Sequence, residues 1–299
     1  MRGSNLVSRG RQSRGKNIFH TSADVLLLIL VAFLILAVAT ALTEGETHIS
    51  PDYPKIDISS VVVQDELSDA DYEVLLYQTG LGRSAIDELR ERYHDSTKRI
   101  LHFQENFFRK IRIICERNSI ISREESVVDE EGYLINGTQM APLHNGDIII
   151  TKASHTYGWR QGHSAIVIDE IHGKTLEAVV VGTDSTVQDI GKWTNYPNFI
   201  VLRLKNAPRD LTESIAQTAI DRLAGIPYRI TAGIFNPKLT DQKEIAGTQC
   251  SQLIWQAYSY YDIDLDSDGG LIVTPKDIAN SNELEVVQAY GVDPGNIWP

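Results

Sequence analysis

The sequence predicts an α+β body in which an antiparallel sheet packs on a cysteine-bearing helix, preceded by a helical annex and one N-terminal transmembrane helix. Three observations carry this expectation. Short apolar strands from Ile148 to Leu204 are separated by turns with no helical pattern between them, which implies antiparallel pairing. Apolar residues at three- and four-residue steps fill much of 64–118, as in helices that pack by one face. Val25 to Thr43 holds no charge, and at a rise of about 1.5 Å per residue it is just long enough to cross a bilayer core.

The chain of 299 residues can bury a sizeable core, and its 42% hydrophobic and 23% charged residues exclude general disorder. Of its 28 basic residues five, Arg2, Arg9, Arg11, Arg14 and Lys16, precede the apolar segment, and no acid stands before Asp24. The remainder therefore sets 23 basic against 40 acidic residues, a net of −17. So acidic a body excludes nucleic acid as a natural partner. The basic flank places the N-terminus in the cytoplasm and the body outside, with the membrane engaged through the N-terminal helix. Ala37-Val38-Ala39 and Ala39-Thr40-Ala41 resemble cleavage sites, so a signal peptide and a secreted body stand as the competing reading.

In order, the expected organisation is a basic tail (1–22), an anchor or signal peptide (23–43), a Pro-containing stalk (44–63), a helical annex with its connector (64–139) and a hydrolase domain (140–299). Ser68-Asp69-Ala70-Asp71 can cap a first annex helix, which Gly80-Leu81-Gly82 interrupts. Ile86, Leu89 and Tyr93 resume the pattern, and a further helix is expected over Thr97 to Glu116. Ser122 to Gly137 is an acidic connector of low pattern. The strands expected after it are Ile148–Thr151, Ser164–Ile168, Thr175–Val181 and Phe199–Leu204, followed by a helix over Leu211–Leu223.

Cys250 lies in a run whose apolar members, Leu253, Ile254, Ala257, Tyr258 and Tyr261, fall at helical spacing, with Thr248 as the expected N-cap. A thiol in the first helical turn meets unpaired N–H groups and the positive end of the helix dipole, which favour the nucleophilic thiolate. The alternative is a small buried hydrophobe. A disulfide with Cys115, the other cysteine, is chemically permitted outside the cell. A thiol hydrolase also needs a base and a group to orient that base. His163 stands at the mouth of a strand. Glu177 interrupts an apolar strand and would come near His163 if the two strands pair through the turn at 171–174, although the same alternation would suit a solvent-facing glutamate. His155 is the rival base.

These stretches together resemble a known family. Gly146-Asp147-Ile148-Ile149-Ile150, Gly162-His163-Ser164-Ala165-Ile166-Val167, Leu176-Glu177-Ala178, Gly225-Ile226-Pro227-Tyr228 and Thr248-Gln249-Cys250-Ser251-Gln252-Leu253-Ile254-Trp255 occur in the order seen in the circularly permuted branch of the NlpC-type papain-like hydrolases, which includes the YiiX/YebB-like family. The resemblance covers roughly 140 to 282. It implies a permuted papain-like fold with Cys250 as nucleophile, His163 as base, Glu177 as orienting residue and Tyr228 near the cleft as a substrate-binding residue.

Asp264-Leu265-Asp266-Ser267-Asp268-Gly269 copies the opening of a calcium loop, but Pro275 stands at the twelfth position, where an EF-hand requires Glu. An acidic turn is expected there. No Cys or His pair has zinc spacing, and no cofactor or metal is expected. The function implied is a membrane-anchored cysteine hydrolase cleaving amide bonds, with cell-wall peptide as the natural substrate. A thioesterase or acyl-transfer enzyme, and a catalytically silent binding domain, are the alternatives.

Overall fold

A computed structural model describes residues 16–43, 47–117, 122–156, 160–232 and 245–299, and within the first helix it describes the side chains of 23–38. The chain forms two compact units, Met1–Glu44 and Gly45–Pro299. The first holds helix α1 (Lys16–Thr43). Among the described residues no helix is long and apolar enough to cross a membrane, which overturns the membrane-spanning helix expected at 23–43. Residues 1–15 of the expected basic tail lie outside the described residues, and 16–22 are helical.

The second unit is α+β. Helices α2 (Ser59–Val62), α3 (Asp69–Thr79), α4 (Arg83–Arg92) and α5 (Ser96–Phe107) come first. Strands β1 (Arg112–Arg117), β2 (Ser122–Val128), β3 (Ile148–Thr151), β4 (Ser154–Thr156), β5 (His163–Asp169), β6 (Lys174–Glu177) and β7 (Thr186–Asp189) follow. A 3-10 helix (Ile190–Asn195), β8 (Phe199–Leu204), α6 (Arg209–Leu223), α7 (Cys250–Ser259), α8 (Pro275–Ala279) and β9 (Leu284–Tyr290) complete it. The main sheet runs β7-β6-β5-β3-β8-β9, all antiparallel, and a three-stranded antiparallel sheet runs β1-β2-β4.

Helices cover both faces of the main sheet. Ile148, Ile150, Ile166 and Leu176 pack with Leu253, Ile254 and Ala257 of α7 and with Ile215 and Ala219 of α6. Ile149, Ala165, Val167 and Val201, which alternate with them, pack with Leu75, Ile86, Leu89, Ile100 and Phe103 of the annex. Two covered faces explain why the central strands are apolar at every position and not only at alternate ones. Each large side chain so buried contributes about 1.5–3 kcal/mol relative to exposure.

Gly80-Leu81-Gly82 proves to be more than a helix break. Gly80 ends α3 in the left-handed conformation, and Leu81 bridges Gln288 on β9, with Gly82 N–H donating to Val287 O (2.9 Å) and Ala289 N–H donating to Gly80 O (2.7 Å). The annex thus extends the open edge of the sheet. A second tie is polar. Arg203 on β8 donates to both carboxylate oxygens of Asp147 (2.8 and 2.7 Å) and lies 3.5 Å from Glu88 on α4. Burial pushes the Asp147 carboxyl above the usual carboxylate range even against this arginine. Residues 47–63, expected as a stalk, lie on the body: Ile49 N–H donates to Gly291 O (2.9 Å), and Ile58 and Val62 are buried.

Three expected elements differ. The helix over Thr97–Glu116 stops at Phe107, because Ile113 and Ile114 are β-branched and find a strand partner in 122–128. That partner was expected as connector. The strand Thr175–Val181 ends at Glu177, beyond which Val179, Val180 and Val181 are exposed.

A Cβ at Gly82 would run into the carbonyl oxygen of Val286. Gly82→Ala is therefore expected to lower the urea midpoint, with a loss of about 1–3 kcal/mol at unchanged slope. A wild-type midpoint would show that the annex does not depend on this contact.

Candidate active site

The site is assembled at the ends of three elements. His163 begins β5, opposite Thr151 on β3, and the preceding Gly162 has φ +73°. A Cβ at Gly162 would meet the Thr151 carbonyl oxygen and the Trp298 ring, each at 2.6 Å, so glycine alone allows the approach. Glu177 ends β6. The pairing Ile166↔Leu176 puts Ala165 opposite Glu177, so His163 is its diagonal neighbour on the same face. Cys250 begins α7, which packs on β5 and presents the sulfur beside Ser164.

His163 Nε2 and Glu177 Oε2 are 2.7 Å apart in a buried hydrogen bond. Lys192 Nζ donates to the same oxygen at 2.7 Å, while Thr175 Oγ1 (2.6 Å) and Trp193 Nε1 (3.1 Å) donate to Oε1. Every lone-pair direction of the carboxylate is thus engaged. Burial raises the Glu177 pKa, but the bonds to His163 and Lys192 outweigh it and hold the carboxyl at about 2. The His163 ring lies flat against Trp193, with centroids 5.5 Å apart and planes inclined by 12°. Burial lowers the His163 pKa, and its interactions with the Cys250 thiol and Glu177 reverse this and raise it to about 9.

Burial raises the Cys250 pKa as well, and His163, followed by the Ser164 hydroxyl and then its N–H, brings it below the ordinary thiol value. With Nε2 engaged by Glu177, Nδ1 is the imidazole nitrogen left for sulfur. The thiol's own S–H donates to Gln249 Oε1 at 3.6 Å. Gln249, not the expected Thr248, is the N-cap residue of α7. The Thr248 hydroxyl bonds to Gln256 Oε1 at 3.2 Å, and its backbone pairs with Tyr228, so it is unavailable as a cap. Gln249 is anchored in turn by Nε2 donating to Val273 O at 2.6 Å.

Tyr228 is half-buried on the segment bridging Thr248, and burial first, then the nearby Cys250 charge, pushes its hydroxyl above the ordinary range. His155 is on β4, and its Nε2 lies 3.5 Å from the sulfur of Cys115. Neither cysteine is in a disulfide. The 264–269 stretch is an acidic turn: Asp264 Oδ1 accepts from Trp255 Nε1 (2.7 Å) and Asp268 Oδ1 from Gly270 N–H (2.7 Å). Asp277, within 4.8 Å of Asp266 and Asp268, caps α8 with Thr274.

Sequence reasoning missed Trp193, Lys192, Thr175 and Gln249. A buried tryptophan in a segment without strand or helix periodicity was the available signal for the first. Lys192 depends on where the turn after β7 returns, while Thr175 and Gln249 are common polar residues near Glu177 and Cys250 in the chain, with no pattern of their own.

No family model matches the chain, and no curated protein matches it. Among solved structures it is similar to the crystal structure of metalloprotein yiiX from Escherichia coli O157:H7, DUF1105. The identity is 15%, with a TM-score of 0.39 over 53% of this chain and 99% of that one. This is a YiiX-like likeness at most, coarser than the NlpC-type papain-like resemblance expected from the motifs.

In a Cys115→Ser background, iodoacetamide at pH 6 is expected to label Cys250 about tenfold or more faster than it labels the urea-unfolded chain. His163→Ala should remove that advantage. Equal rates in folded and unfolded chains would exclude a thiolate stabilised by His163.

Proposed function

We propose that the chain is a cysteine hydrolase in which Cys250 attacks the carbonyl carbon of an amide, with His163 as general base and acid and Glu177 as its orienting residue. The observation that carries this reading is a single buried imidazole held between a thiol and an ionised carboxylate. The proton passes from Cys250 to His163, and the sulfur bonds to the carbonyl carbon. The oxyanion that forms can be met by first-turn N–H groups of α7, which lack acceptors inside the helix. His163 then protonates the departing amine. Water, deprotonated by His163, releases the acid from the thioester and restores the thiol. Glu177 keeps one proton on Nε2, so a second proton moves through Nδ1, taken from sulfur and passed to the leaving amine. The motif order of the NlpC-type papain-like hydrolases agrees with these roles, and cell-wall peptide is the first substrate to test.

A second reading, an ester or thioester of an apolar acyl group, is favoured by the rim of the site. Beyond Glu177, Val179, Val180 and Val181 are 44, 46 and 61% exposed, and Ile230, two residues past Tyr228, is 63% exposed. Tyr228 N–H donates to Thr183 O (2.9 Å), joining the two stretches beside the thiol. Exposed aliphatic side chains next to a nucleophile suit an acyl chain better than a polar peptide.

The test is incubation of the protein with cell-wall peptide digests and with acyl esters of increasing chain length. Products should be absent with Cys250→Ala and His163→Ala, and Glu177→Gln should lower kcat about 100-fold. Activity should fall as pH rises through about 9, where His163 loses the proton it must donate, while Glu177 stays ionised down to about 2. Products that persist with Cys250→Ala would refute the reading.

A further inference from the structure

The molecule contains a second thiol–imidazole contact, on the three-stranded sheet. Cys115 lies on β1, an edge strand of the three-stranded sheet, and is exposed. His155 on β4 is buried, and its Nε2 reaches across β2 to within 3.5 Å of the Cys115 sulfur. The surroundings are basic. Register places Cys115 opposite Glu125, Arg117 opposite Arg123, and Arg123 opposite His155, so the alternation of side chains brings Arg117, Arg123 and His155 to the face that carries Cys115. Glu125, the acid on that face, is already engaged: one oxygen accepts from the backbone N–H (3.0 Å) and hydroxyl of Thr47, and the other pairs with Arg160 at 2.8 Å.

We propose that Cys115 is a second reactive thiol, a site of S-thiolation by a small disulfide bearing carboxylates, with His155 as its base. An accessible thiol 3.5 Å from an imidazole, on a strand face that also carries Arg117, is an environment in which a thiolate forms near neutral pH. The exposed guanidinium group of Arg117 recognises a carboxylate-bearing partner. The step is an exchange that needs no other oxidant. His155 accepts the thiol proton, and the Cys115 sulfur attacks one sulfur of the disulfide. One S–S bond forms as the other breaks, and the departing thiolate takes the proton back. Cys250 differs in being buried beneath the ends of its strands, where a bulky disulfide has poor access. The assignment is independent of the reaction proposed for Cys250.

The experiment uses the full chain carrying Cys250→Ala, treated at pH 7 with oxidised glutathione or with the uncharged bis(2-hydroxyethyl) disulfide, and mapped by peptide mass spectrometry. Oxidised glutathione should modify Cys115 about tenfold faster in the folded than in the urea-unfolded chain. The uncharged reagent should show a smaller advantage. His155→Gln should slow both reagents. Because His155 is buried and its replacement can unfold the sheet, Arg117→Gln, at an exposed position, gives a second arm: it should abolish the preference for glutathione and leave the uncharged reagent unaffected. Modification at the unfolded-chain rate with both reagents would overturn the proposal. Equal folded-state advantages for the two reagents would overturn the acidic character of the partner.

Discussion

The constraint on which the rest of the site depends is the buried carboxylate of Glu177. An ionised side chain removed from water costs several kcal/mol unless its oxygens are filled, and here four donors from three elements fill them. β5 supplies His163, β6 supplies Thr175 and the 3-10 helix supplies Lys192 and Trp193. Meeting that demand places His163: its Nε2 is committed, and Trp193 fixes the plane of the ring. With sulfur as thiolate and imidazole as imidazolium, the charges are the buried Glu177 and Cys250 against the buried His163 and the half-buried Lys192. The balance is neutral, which lets a second ionic pair form without a net charge in the interior. Lys192 therefore belongs to the electrostatics of the site although it bonds only to the carboxylate.

The sheet imposes the wider constraint. Ile148-Ile149-Ile150 exposes apolar side chains on both faces, so neither α6 and α7 nor the annex could be removed without uncovering a hydrophobic surface. The cysteine helix is accordingly held by the same packing that holds the strands. The first residue of α7 has little freedom relative to the first residue of β5. Geometry at the sulfur follows from the core and not from the loops around it.

How much of this was legible in the sequence varied with the kind of information involved. Strong periodicity located β3, β5, β8, α6 and α7, and the Ser68–Asp71 capping box marked the start of α3 where it was expected. A hairpin argument brought His163 and Glu177 together because register along one turn is local. Residues 112–128 were misread as helix and connector. Cys115 and Glu125 pair with each other, but the reason for that pairing, a third strand at 154–156, comes from far along the chain. The N-cap was placed one residue early because Thr248 has the right chemistry, while its backbone is recruited by Tyr228 from a loop that no local pattern announces. Trp193 and Lys192 were invisible for the same reason. Their role is defined by a carboxylate that lies close in space and 15 or 16 positions away in the chain.

The two cysteine–histidine contacts show how environment divides one chemistry. At Cys250 the imidazole is backed by a buried carboxylate, which fixes its tautomer and lets it carry a proton between two steps. Burial also keeps the thiolate from most solutes while a substrate reaching over the rim can be positioned against it. At Cys115 the acid opposite it in register, Glu125, is engaged by Thr47 and Arg160, and the sulfur is exposed. An imidazole 3.5 Å from an exposed sulfur can help that thiol ionise, and disulfide exchange needs no further group to position an acyl substrate or its leaving group. In the reading proposed for each, the buried pair performs acyl chemistry because its base is oriented and its charge is balanced. The open pair is suited to disulfide exchange, which asks only for a thiolate, access and a partner of complementary charge.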